Sequence, residues 1–266
     1  MDSDLDSRLI SIYDKNRLRE SEEINGFWDR LPNEVTFNGK NVLDFGSGLG
    51  TMAFSLVEKG AKSVDGIEIE SNYKKYSELL LSNKEPEIKK KINFFSGELS
   101  ELNDNHYDLI ISKDVFEHVI GLDSVFNQLV KKLKPGGELV LGFGPLWFSP
   151  FGDHGISKKI TGIKFPWLHL LIGKKSLIKF LNDESINAGG SGVSSLQDAG
   201  FNELLPEDYE SIIKSNNSLL IESWRNNVTR SLMGRVLNIL VNLFISIGLE
   251  KYFIRTMYIV AKKNNI

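Results

Sequence analysis

Hydrophobic and polar positions follow two rhythms along the chain, and their order predicts an α/β fold. From residue 40 onward, short apolar runs alternate with segments whose apolar residues recur every three or four positions. The first rhythm is typical of strands buried on both faces and the second of amphipathic helices. The predicted strands are 41–45, 63–69, 92–95, 107–112 and 138–143, and the predicted helices are 51–59, 72–82 and 122–133. This order predicts a parallel sheet with helices on both faces.

The alternation breaks after residue 144. Residues 145–190 are rich in aromatic residues, glycine and lysine, which indicates an insertion and not another unit of the sheet. Further on, the pattern predicts a helix over 193–199, a sixth strand over 204–213, an apolar helix over 231–248 and a terminal strand over 255–262. We therefore expect one domain with a cap: a helical segment (1–38), a core (39–144), the insertion (145–190) and a C-terminal completion of the sheet (191–266).

Composition excludes several classes of protein. The chain is 41% hydrophobic and 25% charged, which is typical of a globular domain. Its formal net charge of −3 argues against a nucleic-acid partner, because such binders usually carry a concentrated basic face. The absence of cysteine rules out disulfides, thiolate metal sites and a cysteine nucleophile.

Two segments bear on where in the cell the protein is located. Residues 1–6 are acidic, whereas a secretory signal begins basic and continues apolar. Residues 232–249 are mostly apolar, but Arg235, Asn238 and Asn242 interrupt them, which favours a buried or partner-facing helix over a membrane span. We expect a soluble, cytoplasmic protein, and leave open peripheral membrane association or a homodimer through this helix.

The strongest chemical signal lies at the end of the first predicted strand. There Gly46-x-Gly48-x-Gly50 opens a helix, and glycine lets the backbone approach a ligand closely. Glu68 follows Gly48 by 20 residues, the spacing of an acid that binds ribose hydroxyls. A nicotinamide site would need a glycine where Thr51 stands, and a tight turn without a ligand is the other alternative.

These residues resemble the first motif of class I S-adenosylmethionine-dependent methyltransferases, of the type 11 and type 23 domains. Four later segments resemble the remaining motifs in the same order: Gly66-Ile67-Glu68, Phe95-Ser96-Gly97-Glu98-Leu99, residues 107–112 with 115–119, and residues 133–137. The resemblance is close over residues 40–144 and loose for the last strand. It implies a Rossmann-like fold with a mostly parallel, seven-stranded sheet, and S-adenosylmethionine as the cofactor.

The resemblance also assigns the cofactor contacts by position. They are Asp44, Gly46, Ser47, Gly48, Gly50, Glu68, Ile69, Glu98, Leu99, Ser112 and Lys113. Glu68 would bind the ribose, Glu98 would lie at the adenine, and Asp44 would orient the glycine loop or bind the methionine amine through water. Glutamate stands at 68 and 98 where the family more often has aspartate, which lengthens the reach by one methylene and keeps the charge.

Candidate catalytic residues follow from the needs of methyl transfer. Alignment of the acceptor with the methyl group supplies most of the acceleration, and a base adds ~10²–10⁴-fold for a hydroxyl acceptor. His154, directly after the fifth strand, is the first candidate base, with Asp153 and His118 as alternatives. A loop without catalytic function remains the structural alternative. No metal-ligand cluster is apparent in the sequence, so no metal site is predicted.

The aromatic residues of the insertion predict a lid over the acceptor, or equally an anchor for the insertion on the sheet. The predicted substrate contacts are Trp147, Phe151, Trp167 and His169. The segment Pro166-Trp167-Leu168-His169 is similar to one in methyltransferases of glycan and natural-product gene clusters. We expect methylation of a small molecule at a hydroxyl of a sugar or secondary metabolite. A macromolecular or lipid-linked acceptor and a non-catalytic cofactor-binding module are the alternatives.

Overall fold

A computed structural model describes residues 7–32, 35–228 and 232–265 of the chain. Its sheet comprises β1 (Asn41–Phe45), β2 (Ser63–Glu68), β3 (Ile92–Ser96), β4 (Tyr107–Lys113), β5 (Leu133–Phe143), β6 (Leu219–Asn226) and β7 (Met257–Lys263). The strand order is β3-β2-β1-β4-β5-β7-β6, with β7 antiparallel to both of its neighbours and the other pairs parallel. The predicted seven-stranded, mostly parallel sheet is confirmed.

Helices cover both faces of the sheet. They are α1 (Ser7–Trp28), α2 (Thr51–Glu58), α3 (Ser71–Ser82), α4 (Pro86–Lys89), α5 (Leu122–Lys132), α6 (Ile156–Thr161), α7 (Leu168–Ile172), α8 (Lys174–Asn187), α9 (Pro206–Lys214) and α10 (Leu232–Phe244). On β1, Val42 packs into the core beneath α1 and α2, and Leu43 into the core beneath α5 and α9. Neighbouring strand residues point to opposite faces, so a continuous apolar run fills two cores at once.

The insertion after β5 is helical and has a small core of its own. Trp147, Leu177, Leu196 and Phe201 are buried together there, and α6, α7 and α8 surround them. Two of these four residues lie beyond residue 190, so the packing unit is longer than the predicted insertion.

Two predicted elements differ in the structure. Residues 193–199 form bends and turns instead of a helix. Asp198 Oδ2 accepts hydrogen bonds from the backbone amides of Ser194 and Ser195, at 2.9 and 3.0 Å, and such local bonds compete with helical ones. The predicted strand 204–213 is instead helix α9, which begins at Pro206, a residue well suited to a first helical turn.

The sixth strand in the structure, β6, is an edge strand without a fully buried position, so its apolar pattern in the sequence is weak. The terminal strand is confirmed as β7. The apolar helix is confirmed as α10, and within the described ranges no helix is long and apolar enough to cross a bilayer. Residues 1–6, the acidic start of the chain, lie outside the described residues.

Candidate active site

The loop between β1 and α2 is built from three glycines with positive φ. The φ angles of Gly46, Gly48 and Gly50 are 77°, 51° and 78°, a region that disfavours other residues. A Cβ on Gly46 would lie 2.2 Å from Cγ2 of Val115, whereas a Cβ on Gly48 would meet no described atom within 4 Å. Gly46 is therefore needed for packing, and Gly48 leaves its space open to a ligand.

Glu68, the last residue of β2, is bound to this loop. Its Oε2 accepts a hydrogen bond from the amide of Gly48 and its Oε1 one from the amide of Glu70, both at 2.9 Å. Each carboxylate oxygen has a second lone pair, so Glu68 can still accept hydrogen bonds from two ligand hydroxyls.

A cleft of about 990 Å³ runs along the carboxyl edge of the sheet from this loop. Among the predicted cofactor contacts it is lined by Asp44, Gly46, Ser47, Gly48, Glu68, Ile69, Glu98, Leu99 and Lys113. Gly50 and Ser112 are buried behind it, and the Ser112 hydroxyl donates to the carbonyl of Phe45 at 3.0 Å. These two residues shape the wall of the cleft.

Asp44 carries the unusual electrostatics of the cleft. Its side chain is 2% exposed, and its Oδ2 has no hydrogen-bond partner in the part of the chain that the structure describes. Burial, together with the negative charges of Glu20 and Glu68, raises the pKa of Asp44 to about 7. A cationic group placed beside Asp44 would offset the cost of ionising it.

Helix α1 supplies one side of the cleft. Arg19, Glu20 and Glu23 line the cleft from this helix. Glu20 accepts a hydrogen bond from the Thr51 hydroxyl at 2.7 Å, and Glu23 lies 3.6 Å from the Lys113 ammonium. The helical spacing of these residues predicts a common face but not the surface that the face covers.

Further along, the cleft reaches a pair of histidines from distant parts of the chain. His118 lines the cleft, and the ring of His154 lies 4.8 Å from it between centroids. Phe201 contacts both rings. Protein atoms crowded around the His154 ring, and then the neighbouring His118, lower the pKa of His154 to about 4, although part of its surface meets solvent. His154 is therefore a neutral imidazole at physiological pH.

Glu117 lies beside this pair and was not among the predicted site residues. It is 4% exposed, and its Oε1 accepts a hydrogen bond from the amide of Gly144 at 2.9 Å. Its Oε2 is buried and has no partner among the described residues. Burial, followed by the charge of Asp114, raises the pKa of Glu117 to about 8. The signal in the sequence that could have identified Glu117 as a site residue was its position next to His118.

Asp153, the alternative base, is placed away from the cleft. It is 1% exposed, and its oxygens accept hydrogen bonds from the amides of Gly155 and Ser157 in the first turn of α6, at 3.2 and 2.5 Å. These bonds satisfy amides that a helix leaves free at its start. This geometry favours His118 and His154 over Asp153 as the candidate base, because the Asp153 carboxylate is buried within the insertion.

The predicted substrate contacts pack within the insertion and against the C-terminal segment. Trp147 is buried between the rings of His169 and Phe201, and His169 is hydrogen-bonded to the carbonyl of Trp147 at 2.7 Å. Trp167 donates to the carbonyl of Tyr252 at 3.0 Å. The Phe151 ring lies beneath the ammonium of Lys164. The structure thus favours the anchoring alternative over a lid for these four residues.

The far end of the cleft, where an acceptor would bind, is lined by residues other than these four. At the far end, the cleft is lined by Val119, Ile120, Val125, Gln128, Gln197, Asp198 and Gly200. They come from the turn after β4, from α5 and from the bends before α9, and no motif in the sequence marks them apart from Val119.

A second cavity, of about 470 Å³, adjoins the cleft. The two share Glu23, Lys113 and Asp114. Arg30, Arg255 and Tyr258 line the second cavity, together with Gly144, whose amide binds Glu117. The cavity therefore borders the surroundings of the histidine pair.

Comparison with known proteins matches the part of the chain that contains the glycine loop, Glu68 and His118. Residues 15–142 match a family model described as a methyltransferase domain. They form a class I methyltransferase domain. A stretch of 104 residues is 29% identical to phosphoethanolamine N-methyltransferase 2 of Caenorhabditis elegans, covering 39% of this chain and 23% of that protein. A stretch of 129 residues is 31% identical to histone-arginine methyltransferase CARMER of Drosophila persimilis, covering 47% of this chain and 24% of that protein.

The chain spans about a quarter of the length of these curated relatives. Among solved structures, an S-adenosylmethionine dependent methyltransferase from Mesorhizobium loti superposes with a TM-score of 0.54. Its sequence is 15% identical, and the match covers 91% of this chain and 97% of that chain. The likeness is one of fold.

A methyltransferase domain of this class takes S-adenosylmethionine as its cofactor, and three features of the cleft fit that molecule. The buried Asp44 carboxylate, whose Oδ2 has no partner among the described residues, suits a cationic ligand. The open space at Gly48 suits a close approach to the backbone. Ile69 is 86% exposed although it lines the cleft, and an aromatic base lying on it would cover that apolar surface.

Proposed function

We propose that this methyltransferase domain transfers the methyl group of S-adenosylmethionine to a hydroxyl group of a small molecule, such as a sugar or secondary metabolite. The observation that carries the proposal is the continuous cleft from Gly48 and Glu68 to His118. One end of it has the features of a cofactor site, and the other is lined by His118, whose ring lies beside that of His154.

In this proposal, different residues of the cleft bind different parts of the cofactor. Gly46 and Gly48 pass close to its methionine part, and Asp44 faces the cationic amine. Glu68 accepts hydrogen bonds from the ribose hydroxyls, with its own position held by the Gly48 and Glu70 amides. The adenine lies at the end of β3, where Ile69 and Leu99 cover its faces and Glu98 accepts a hydrogen bond from its amino group.

When bound, S-adenosylmethionine supplies a methyl group on a sulfonium centre. This methyl group is already electrophilic, so its transfer needs an aligned nucleophile and no electrophile from the protein. The chain aligns that nucleophile and keeps water away from it. The adjoining cavity of about 470 Å³ is within the size range of small-molecule sites, and its arginine, tyrosine and threonine side chains suit a polar acceptor.

His118 and His154 orient the acceptor hydroxyl. A neutral imidazole accepts a hydrogen bond through its unprotonated nitrogen. With a pKa of about 4, His154 binds a proton weakly, so it positions the hydroxyl better than it removes its proton. His154 and His118 remain the candidate catalytic residues.

A transfer assay with tritiated methyl donor tests the proposal. The full chain is incubated with a panel of sugars, sugar phosphates, polyphenols, amines and a histone mixture, and the labelled product is analysed. We expect label on a hydroxylated small molecule, resistant to mild base as an ether is. Label confined to an amine or to the protein acceptor would contradict the hydroxyl assignment.

Helix α10 supports a second candidate, a methyltransferase acting on a lipid-linked acceptor at a membrane surface. Leu232, Val236, Ile239 and Leu243 recur on one face of α10 and are between 44% and 78% exposed. An exposed apolar stripe of this kind suits insertion into a lipid interface. Flotation with anionic liposomes would carry the chain to the top of a gradient, and Ile239→Glu would abolish it. A chain that stays at the bottom contradicts this candidate.

A further inference from the structure

Glu117, His118 and His154 come together at one point beside the cleft. One potential metal-ligating atom from each lies within 4.8 Å of those of the other two. Glu117 and His118 belong to the turn after β4, while His154 comes from the insertion after β5. The proximity is therefore a product of tertiary folding and not of chain neighbourhood alone.

The hydrogen bond of His118 determines which of its nitrogens is free. Its Nδ1 lies 2.7 Å from the carbonyl oxygen of Gly200. Because a carbonyl only accepts, Nδ1 carries the proton and Nε2 keeps its lone pair. A backbone carbonyl holding the outer nitrogen of a histidine is the usual arrangement at metal sites.

His154 supplies the second imidazole. Its ring lies 4.8 Å from that of His118 between centroids, and it contacts Phe201. A neutral imidazole has one ring nitrogen with a free lone pair, which can bind a cation.

Glu117 completes the set. The amide of Gly144 holds Oε1 at 2.9 Å, and Oε2 is the buried atom without a partner. Buried polar atoms in proteins are nearly always bonded, so an orphaned carboxylate oxygen indicates a missing partner. An outer hydrogen bond thus orients His118 and Glu117, and each of the three side chains offers a lone pair.

We propose that Glu117, His118 and His154 bind one divalent first-row transition cation, such as Mn²⁺, Co²⁺ or Zn²⁺. Two imidazoles and a carboxylate suit these ions better than Ca²⁺ or Mg²⁺, which prefer oxygen ligands. With bonds of ~2.1 Å, ligand atoms around one ion lie at most ~4.2 Å apart, so small side-chain rotations close the site.

The role of this cation rests on the proposed function, with the ion contacting the acceptor hydroxyl in place of the imidazole lone pairs that it occupies. Three protein ligands leave coordination positions open, and one of the three, His118, lines the cleft. An acceptor hydroxyl bound there loses its proton to solvent more readily, because the cation stabilises the oxyanion. The oxygen–methyl bond then forms as the carbon–sulfur bond breaks, with its electron pair going to sulfur.

Electron paramagnetic resonance of Mn²⁺ tests the site without any requirement for methyl transfer. The full chain is freed of metal with a chelator and titrated with Mn²⁺, and the bound spectrum is searched for nitrogen coupling. We expect one Mn²⁺ per chain with coupling to imidazole nitrogen. His118→Ala, His154→Ala and the near-isosteric Glu117→Gln should each weaken binding by about tenfold or more.

His106→Ala is the matched control, since His106 precedes β4 and lies outside the three-residue cluster. Circular dichroism confirms that each variant is folded. Binding only at millimolar Mn²⁺, absence of nitrogen coupling, or equal affinity in all variants would overturn the site. Mn²⁺ binding without transfer to any hydroxyl would contradict the proposed function and leave the site standing.

Discussion

Glu68 accepts a hydrogen bond from the backbone amide of Gly48 at 2.9 Å, which joins the acid at the end of β2 to the glycine loop at the end of β1. The two residues are 20 positions apart and meet because β1 and β2 are parallel neighbours. The loop and the acid therefore hold their relative position before a ligand binds, which reduces the ordering that binding must impose.

Replacing Glu68 by Gln tests this pair. Gln keeps one acceptor oxygen but loses the charge and the second acceptor, so hydrogen bonds to ribose hydroxyls weaken. We expect the dissociation constant for S-adenosylmethionine to rise about tenfold or more, the equivalent of one charge-assisted bond. Calorimetric titration measures it. Glu70→Gln, at the exposed start of α3, is the control and should bind normally; equal losses in both variants would contradict the assignment.

Alanine at two glycines of the loop should have different effects. At Gly48 the added methyl meets open space, so Ala costs about 1–2 kcal/mol for its positive φ and mainly obstructs the ligand. At Gly46 the methyl would overlap Val115, so Ala should destabilise the fold more. Urea unfolding and calorimetric titration separate the two effects. A Gly48→Ala variant with unchanged affinity would remove this loop from the site.

Asp44 predicts a pH-dependent affinity. Its pKa is raised to about 7 by burial and by Glu20 and Glu68, so it is protonated below that pH. A cationic ligand favours the ionised form, and affinity for S-adenosylmethionine should increase with pH and level off above about 7, with proton release on binding. Calorimetry between pH 5.5 and 8.5 measures both. Asp44→Asn should flatten the profile, and an unaltered slope would contradict the role of Asp44.

The same group predicts a stability trend in the ligand-free protein. The folded pKa of Asp44 lies above the unfolded value near 3.8, so the folded state binds more protons between these two pH values. The Asp44 contribution to stability therefore falls as pH rises from about 4 to about 7. Urea midpoints across this range should decline less in Asp44→Asn than in the parent chain. A steeper decline of the urea midpoint in the variant would contradict this prediction.

Trp167 tests the anchoring of the insertion. Its indole nitrogen donates to the Tyr252 carbonyl at 3.0 Å, and its ring contacts Phe253. Trp167→Phe removes the donor and should cost about 1 kcal/mol of unfolding free energy, with unchanged affinity for S-adenosylmethionine. Urea denaturation and calorimetry check both values. A large loss of cofactor affinity with normal stability would return Trp167 to the binding site.

The cofactor end of the site was predictable because its signals are local. The apolar run of β1 is bounded by glycines, and its predicted limits, 41–45, agree with the structure. The acid Glu68 follows from the same strand–loop–helix order. Helix α9 also carries its signal in Pro206, although the surrounding apolar residues were interpreted as a strand.

The acceptor end depends on contacts between distant segments. The hydrogen bond from Thr51 to Glu20 and the approach of His154 to His118 follow from how α1 and the insertion dock on the sheet. Periodicity shows which face of a helix is apolar but not where that face lies. Trp147 illustrates the same limit, because an aromatic residue after β5 can fill a small core as well as contact a substrate.

A crystal structure of the full chain with S-adenosylhomocysteine tests whether this cleft holds S-adenosylmethionine. We predict the adenine between Ile69 and Leu99, the ribose hydroxyls on Glu68 and the methionine amine beside Asp44. A ligand bound elsewhere, or a cleft that stays empty at saturating ligand, would contradict the claim.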